Sequence, residues 1–222
     1  MNFWHMVVRF FQGGGIFMFP IALVLALGIA IATERYIYLQ LVEARNRRLW
    51  NQIVPLLAQG NFRQVVQATS KSDSAIGQIL NYGLARIQAA RRRDDIEKAM
   101  EESLMEVVPR LEKRTHYLAT FANLATLLGL LGTVIGLINA FAAVSTVNPA
   151  EKANLLSASI SVAMNCTAFG IMTAVPILFV HAWLQTKTTE LIDSLEMASV
   201  KFLNAVTERK PEAPAPAPAV AA

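Results

Sequence analysis

Three long runs of the sequence contain no Asp, Glu, Lys or Arg: Phe10–Thr33, Thr115–Ala150 and Ala153–Trp183. A helix crosses the hydrocarbon core of a bilayer with about 20 residues, so each run is long enough to span. Backbone amides and carbonyls cannot stay unpaired in lipid, and a helix satisfies them within one segment. The chain therefore reads as an all-α integral membrane protein with three transmembrane helices. The chain is 16% charged, against about a quarter in soluble domains. The first run resembles a secretion signal in length. Its charged flank, Glu34-Arg35, follows the apolar run, however, and no small-residue cleavage site ends it, so a retained helix is expected.

The side chains that would carry chemistry are sparse. Cys166 is the single cysteine, so no disulfide or thiolate metal cluster can form within one chain. His5, His116 and His181 stand far apart, outside any metal-ligand spacing. The sequence holds no phosphate-binding glycine loop and no G-x-S-x-G elbow. Asn165-Cys166-Thr167 matches a glycosylation triplet, but at membrane depth the match is accidental. No enzyme, no cofactor and no metal is expected.

Basic residues favour the cytoplasmic side. Of the 20 Lys and Arg residues, 14 lie between Glu34 and Tyr117, whereas Lys152 alone separates the second and third runs and Arg9 alone precedes the first. This bias places the large loop and the C-terminus in the cytoplasm, with the N-terminus and the Asn148-Pro149 turn on the periplasmic side. The net charge of +4 then reflects topology, and no nucleic-acid partner is implied because no aromatic-studded basic surface accompanies it.

The resulting map has an outer-face amphipathic segment (1–15), a first span (16–38), a cytoplasmic helical domain (39–114) and a second span (115–146). A periplasmic loop (147–153), a third span (154–183), a cytoplasmic helix (184–209) and a disordered Pro/Ala tail (210–222) complete it. The first helix should run on to Ala58, with Gly60-Asn61 ending it and a short helix following over Phe62–Thr69. Ala75–Ala90 has helical period, with Ile76, Ile79, Leu80, Leu84 and Ile87 on one face. Asp94 or Asp95 is the expected N-cap of the next helix. That helix is expected to run to Asn148 without a stop signal, Pro109 being the candidate kink. Its charges, from Glu97 to Arg114, suit a solvated stalk. The last helix should start near Asn154 and reach Val206.

Small residues are concentrated in the second and third spans. Gly132 and Gly136 form a G-x-x-x-G pair, and Gly129 lies within about 60° of both on a helical wheel. Thr126 and Thr133 share an adjacent stripe, about 20° apart. In the third span Ser159, Ala163, Thr167, Gly170 and Ala174 fall within about 80°. Lipid offers helices no hydrophobic reason to associate, so such faces exist for close packing or to line a narrow space. Simple packing is the plainer explanation, since a membrane threonine often bonds its own backbone one turn back. Two hydroxyl-bearing stripes at comparable depth favour a pathway. The second and third spans hold no Asp, Glu, Lys or Arg, and intramembrane proton carriers ordinarily need an ionisable group. A titrating carboxylate would have to come from another chain.

Asn123–Ile138, around GLLGTVIG, resembles the second membrane helix of the MotA/TolQ/ExbB proton-channel family, whose core reads PLLGLLGTVxGM. Ile160–Pro176 resembles that family's third helix, ISEALxxTAxGLxxAIP, and the ExbB/TolQ-like branch fits three spans. The resemblance implies a homopentameric ring in the bacterial inner membrane. It also implies an enclosed ExbD/TolR-like dimer, each copy bringing a membrane aspartate, and a TonB/TolA-like protein energised by ion motive force. By the same resemblance Thr133 and Thr167 match the two hydroxyls facing that aspartate, with Thr126 as a further ion-pathway hydroxyl. Gly129, Gly132 and Gly136 match the family glycines, and Pro176 its third-helix proline. Two departures stand out: Val162 replaces a common glutamate, and Thr126 a common proline. Asn165, about 160° from Thr167, is expected to bond another helix.

Two other functions compete. A flagellar or gliding motor stator uses the same motifs but usually has four spans. A non-conducting membrane scaffold needs the glycines without ion coupling. Hydroxyl-rich walls suit protons or sodium alike.

Overall fold

The structure is a computed structural model and describes residues 5, 10–11, 13–87, 93–145 and 147–207. Most of the expected outer-face segment, the Arg91-Arg92 pair and the Pro/Ala tail lie outside the described residues. The described chain is helical and holds no strand: α1 (Met18–Gln59), α2 (Phe62–Ser70), α3 (Ala75–Ile87), α4 (Arg93–Glu112), α5 (Thr115–Val144) and α6 (Lys152–Thr207). α1, α5 and α6 each contain a stretch long and apolar enough to cross a membrane. Three such stretches in one chain make it a multi-pass membrane protein.

The contacts divide the chain into two units. The first holds residues 1–38 and 112–187, including the apolar part of each long helix. Its side-chain distribution is the inverse of a soluble bundle. Ala122, Ala125, Gly129 and Gly132 are buried on α5, and Ala163, Cys166, Gly170 and Ala174 on α6. Large apolar residues such as Leu127, Phe141, Met164 and Phe179 face outward. Small residues inward and large ones outward is the pattern expected when the solvent is lipid and helices associate by close approach. Gly28 brings α1 onto α6, where an added methyl would stand 2.8 Å from Ile177 Cδ1. Tyr36 and Trp183 stack with centroids 5.5 Å apart, as suits an interfacial aromatic pair.

The second unit holds residues 39–111 and 188–222, and its described part packs around an apolar core drawn from α1, α2, α3, α4 and α6. Ile76, Ile79, Leu80 and Leu84 are buried in that core as the period predicts, and Ile87 packs against it. Gly60 takes φ 75°, a conformation glycine adopts without strain, and so ends α1. Asn61 then caps α2, its side chain accepting from the Gln64 amide at 3.4 Å. Buried Asn46 on α1 does the same for α3: Oδ1 accepts from the Ile76 amide at 3.3 Å. Asn46→Ala would leave that buried amide without an acceptor. A loss of about 1–3 kcal/mol is expected, measurable by denaturant unfolding together with faster amide exchange at the start of α3.

Three expectations are corrected. Asp94 and Asp95 both lie within the first turn of α4 and so are not its N-cap. There their carboxylates meet the positive end of the helix dipole. α4 is no free stalk: Ile96, Met100, Val107 and Leu111 bury one face in the core, while the charges occupy the other. The expected continuous helix from Asp94 to Asn148 is also broken, and at Lys113-Arg114 rather than at Pro109. Arg114 takes φ 66° and ψ −12°, a left-handed conformation that costs a non-glycine residue about 1–2 kcal/mol. Its guanidinium Nη1 donates to both carboxylate oxygens of Glu34, at 2.6 and 2.8 Å, holding the corner against α1. Both side chains are about half exposed, so the pair contributes no more than about 1 kcal/mol. Arg114→Gly should therefore be neutral to slightly stabilising. Arg114→Val keeps the strain and loses the pair, so it should cost about 1 kcal/mol against the parent chain and more against Arg114→Gly. Unfolding of the two variants in mixed detergent checks the difference.

Candidate functional site: the α5–α6 seam

The close approach of α5 and α6 follows from their glycines. A methyl built on Gly170 would stand 2.6 Å from the Ala125 carbonyl oxygen and 3.1 Å from Gly129 Cα. One on Gly129 would meet Thr167 Cα at 3.2 Å, Cys166 O at 3.3 Å and Gly170 Cα at 3.3 Å. These neighbours are backbone atoms. Further along, Gly132 faces the Cys166 side chain, and an added methyl on Gly136 would lie 2.9 Å from Ala163 Cβ. The two small-residue stripes meet each other, pairing Gly129 with Thr167 and Gly170, Gly132 with Cys166, and Gly136 with Ala163. Ala174 is buried, Ser159 half-buried, and Pro176 sits exposed within an uninterrupted α6.

The three threonines of the sequence reading differ in what their hydroxyls do. Thr126 Oγ1 donates to Ala122 O at 3.1 Å, and Thr133 Oγ1 donates to Leu130 O at 2.6 Å, each within its own helix. Thr167 Oγ1 donates across the seam to Gly129 O at 2.8 Å. That carbonyl is reachable only because Gly129 and Gly170 let the backbones close. The Thr133 hydroxyl is exposed on the chain's own surface, so it is open to whatever stands beside α5. Thr167 and Thr133 are therefore not joined within one chain.

Asn165 bonds no helix: its Nδ2 donates to Gly13 O at 3.4 Å, in the turn before α1. A methyl on Gly15 would come within 3.4 Å of Val162 Cγ1, and Phe10 and Phe11 stack edge-on against Phe169. The side of α6 bearing Val162, Asn165 and Phe169 is thus partly covered by the segment before α1. Val162 itself stays 39% exposed beside Gly15.

Two features escaped the sequence reading. Cys166, considered there only for disulfides and metals, is the side chain that fills the notch at Gly132. Its place on the face of α6 next to the small stripe was the available signal. Thr173 is buried, and its hydroxyl has no partner among the described residues. No sequence signal separates it from other membrane threonines. No cluster of metal-ligating side chains occurs among the described residues.

The family model described as "MotA/TolQ/ExbB proton channel family" matches residues 71–197, a range that contains all of α5 and most of α6. A protein of Methanothermobacter thermautotrophicus named as an ExbB homolog in biopolymer transport is 24% identical over 199 residues, covering 89% of this chain and 69% of that protein. The Tol-Pal system protein TolQ of Pseudomonas aeruginosa is 26% identical over 147 residues, or 62% of this chain and 63% of its own. The biopolymer transport protein exbB1 of Vibrio cholerae is 30% identical over 146 residues, or 58% of this chain and 63% of its own.

Proposed function

The chain belongs to the MotA/TolQ/ExbB proton channel family, in its ExbB/TolQ-like branch, and from that premise we propose that it is the ring subunit of an inner-membrane complex that uses proton motive force to energise a periplasm-spanning, TonB- or TolA-like partner for outer-membrane transport or integrity. Five copies surround two single-span partner helices of the ExbD/TolR kind. The N-terminus is periplasmic and the C-terminus cytoplasmic.

One observation supports this reading above the others. A glycine-notched seam with a hydroxyl across it lies in spans that hold no Asp, Glu, Lys or Arg. With its glycines taken up by the contact between α5 and α6, such a wall can offer a hydroxyl to an ion or carboxylate, yet it cannot itself pick up and release a proton. A partner aspartate supplies the missing titration. In this arrangement Thr133, half-buried on α5 with an exposed hydroxyl, and Thr167, at the seam, line the route on either side of that carboxylate. Gly129, Gly132, Gly136, Ser159, Ala163, Gly170, Ala174 and Pro176 shape the wall. Moving one charge through a potential of 100 mV releases about 2.3 kcal/mol, enough to bias a step of the inner dimer if leakage is blocked.

The test is purification of the tagged chain from host membranes. A stoichiometric single-span protein with an aspartate in its span is expected. Vesicles containing the pair should take up protons under an imposed potential, and the partner's Asp→Asn variant should stop the flux. A chain that purifies alone, and whose cellular role survives an uncoupler, is a scaffold and ends this reading.

A further inference from the structure

Within the second unit, α4 and α6 leave a groove of about 660 Å³ between them. Its apolar floor includes Leu104, Met105 and Val200, and its charged residues are Glu97, Glu101 and Glu196, with no Lys or Arg among those lining it. Met105 is 74% exposed and Val200 53%. A helix pair in water ordinarily covers such side chains, and an apolar patch with a polar rim marks an interaction surface.

A surface of opposite character lies on α1 of the same unit. Leu41, 50% exposed, stands within about 60° of Arg45 and Arg48 on the helical wheel, with exposed Ala44 beside them. The stripe is turned away from the core, which α1 meets through Leu49, Ile53 and Leu57. Arg45, Arg48, Glu97, Glu101 and Glu196 form no ion pair with any described residue, whereas Arg110 on α4 pairs with Glu106. Each chain thus presents an acid-rimmed apolar groove and a basic, apolar helix stripe, both without a charge partner of their own.

We propose that the α4–α6 groove receives the Leu41–Arg45–Arg48 stripe of α1 from a second copy of this chain. Leu41 and Ala44 cover Met105 and Val200, and the arginines face the groove glutamates. Because groove and stripe are different surfaces, the contact is head-to-tail, and repeating it closes a ring when the rotation permits. The inference rests on the ring reading above for the number of copies, and it assigns which surfaces hold neighbours together in this unit.

The test uses the full-length chain in its membrane complex, with Cys166→Ser as background and Ala44→Cys and Val200→Cys introduced together. Mild oxidation is expected to give a ladder of cross-linked copies from the dimer upward, while either cysteine alone gives none. Replacing Glu97, Glu101 and Glu196 by Lys should abolish the ladder. Adding Arg45→Glu and Arg48→Glu to that chain should restore it, which also shows that the charge variants fold. Native mass spectrometry of the same complexes separates the two readings. A multimer that yields no 44–200 ladder overturns the inference and leaves the ring standing. A single copy per complex removes both. Cross-links from position 200 to a different protein overturn the inference in favour of another occupant.

Discussion

Replacing Thr133 by valine is expected to reduce energised transport to the level of a strain lacking the protein, while the complex assembles in normal amount. Thr133 donates only to Leu130 O in its own helix, and its hydroxyl is exposed. Valine keeps the shape, and the Leu130 carbonyl stays in the helix. The structural cost is therefore at the low end of the roughly 0.6 kcal/mol averaged by side-chain hydrogen bonds in membrane proteins. A loss of function at so small a cost must come from the hydroxyl itself. Thr167→Val is the companion variant. It gives up the 2.8 Å bond across the seam to Gly129 O, which contributes about 0.5–1.5 kcal/mol, again too little to dismantle the pair. Thr167→Ser and Thr133→Ser retain the hydroxyl and should retain transport. Growth on a nutrient that needs energised uptake, or resistance to detergent, reads the result alongside complex yield. Full activity in both valine variants removes these threonines from the pathway.

The sequence made the spans and the seam legible for different reasons. The spans follow from solvation: a charge-free run of membrane length has one economical fate in lipid. The seam follows from periodicity, because Gly129, Gly132 and Gly136 on α5, and Ala163, Thr167 and Gly170 on α6, occupy faces that only another backbone could use. The helix break at Lys113-Arg114 was not legible. It has no glycine or asparagine to mark it, and it is held by Glu34, a residue 80 positions away. The stalk reading failed for a related reason. The charges of α4 are dense enough to suggest full solvation, yet Ile96, Met100, Val107 and Leu111 recur on the opposite face and are buried by α1, α3 and α6. The distinction between Thr133 and Thr167 was equally hidden, since identical side chains on matching stripes differ only in whether a neighbouring carbonyl lies within reach. Asn165 found the Gly13 carbonyl rather than a helix, because the turn before α1 folds against α6.

Gly170→Ala is expected to disrupt the α5–α6 pair and with it the complex, and the contrast with Gly132→Ala shows why. The new methyl at position 170 meets the Ala125 carbonyl oxygen at 2.6 Å and Gly129 Cα at 3.1 Å. Both belong to a helix backbone, so relief requires the helices to separate, which also stretches the Thr167–Gly129 bond. Overpacking of this kind costs about 1–3 kcal/mol, and losing the bond adds to it. A methyl at position 132 meets first the side chain of Cys166. That obstacle can be removed: Cys166→Ala should recover most of the stability lost in Gly132→Ala, giving a favourable coupling in the double-mutant cycle. The same Cys166→Ala change should do nothing for Gly170→Ala. Resistance to unfolding in mixed detergent, measured for the four variants, reads the pattern. If Gly170→Ala assembles as well as the parent chain, the helices do not approach through their glycines. The Gly129 carbonyl would then be out of reach of Thr167, and the hydroxyl wall on which the proposed function stands would not exist.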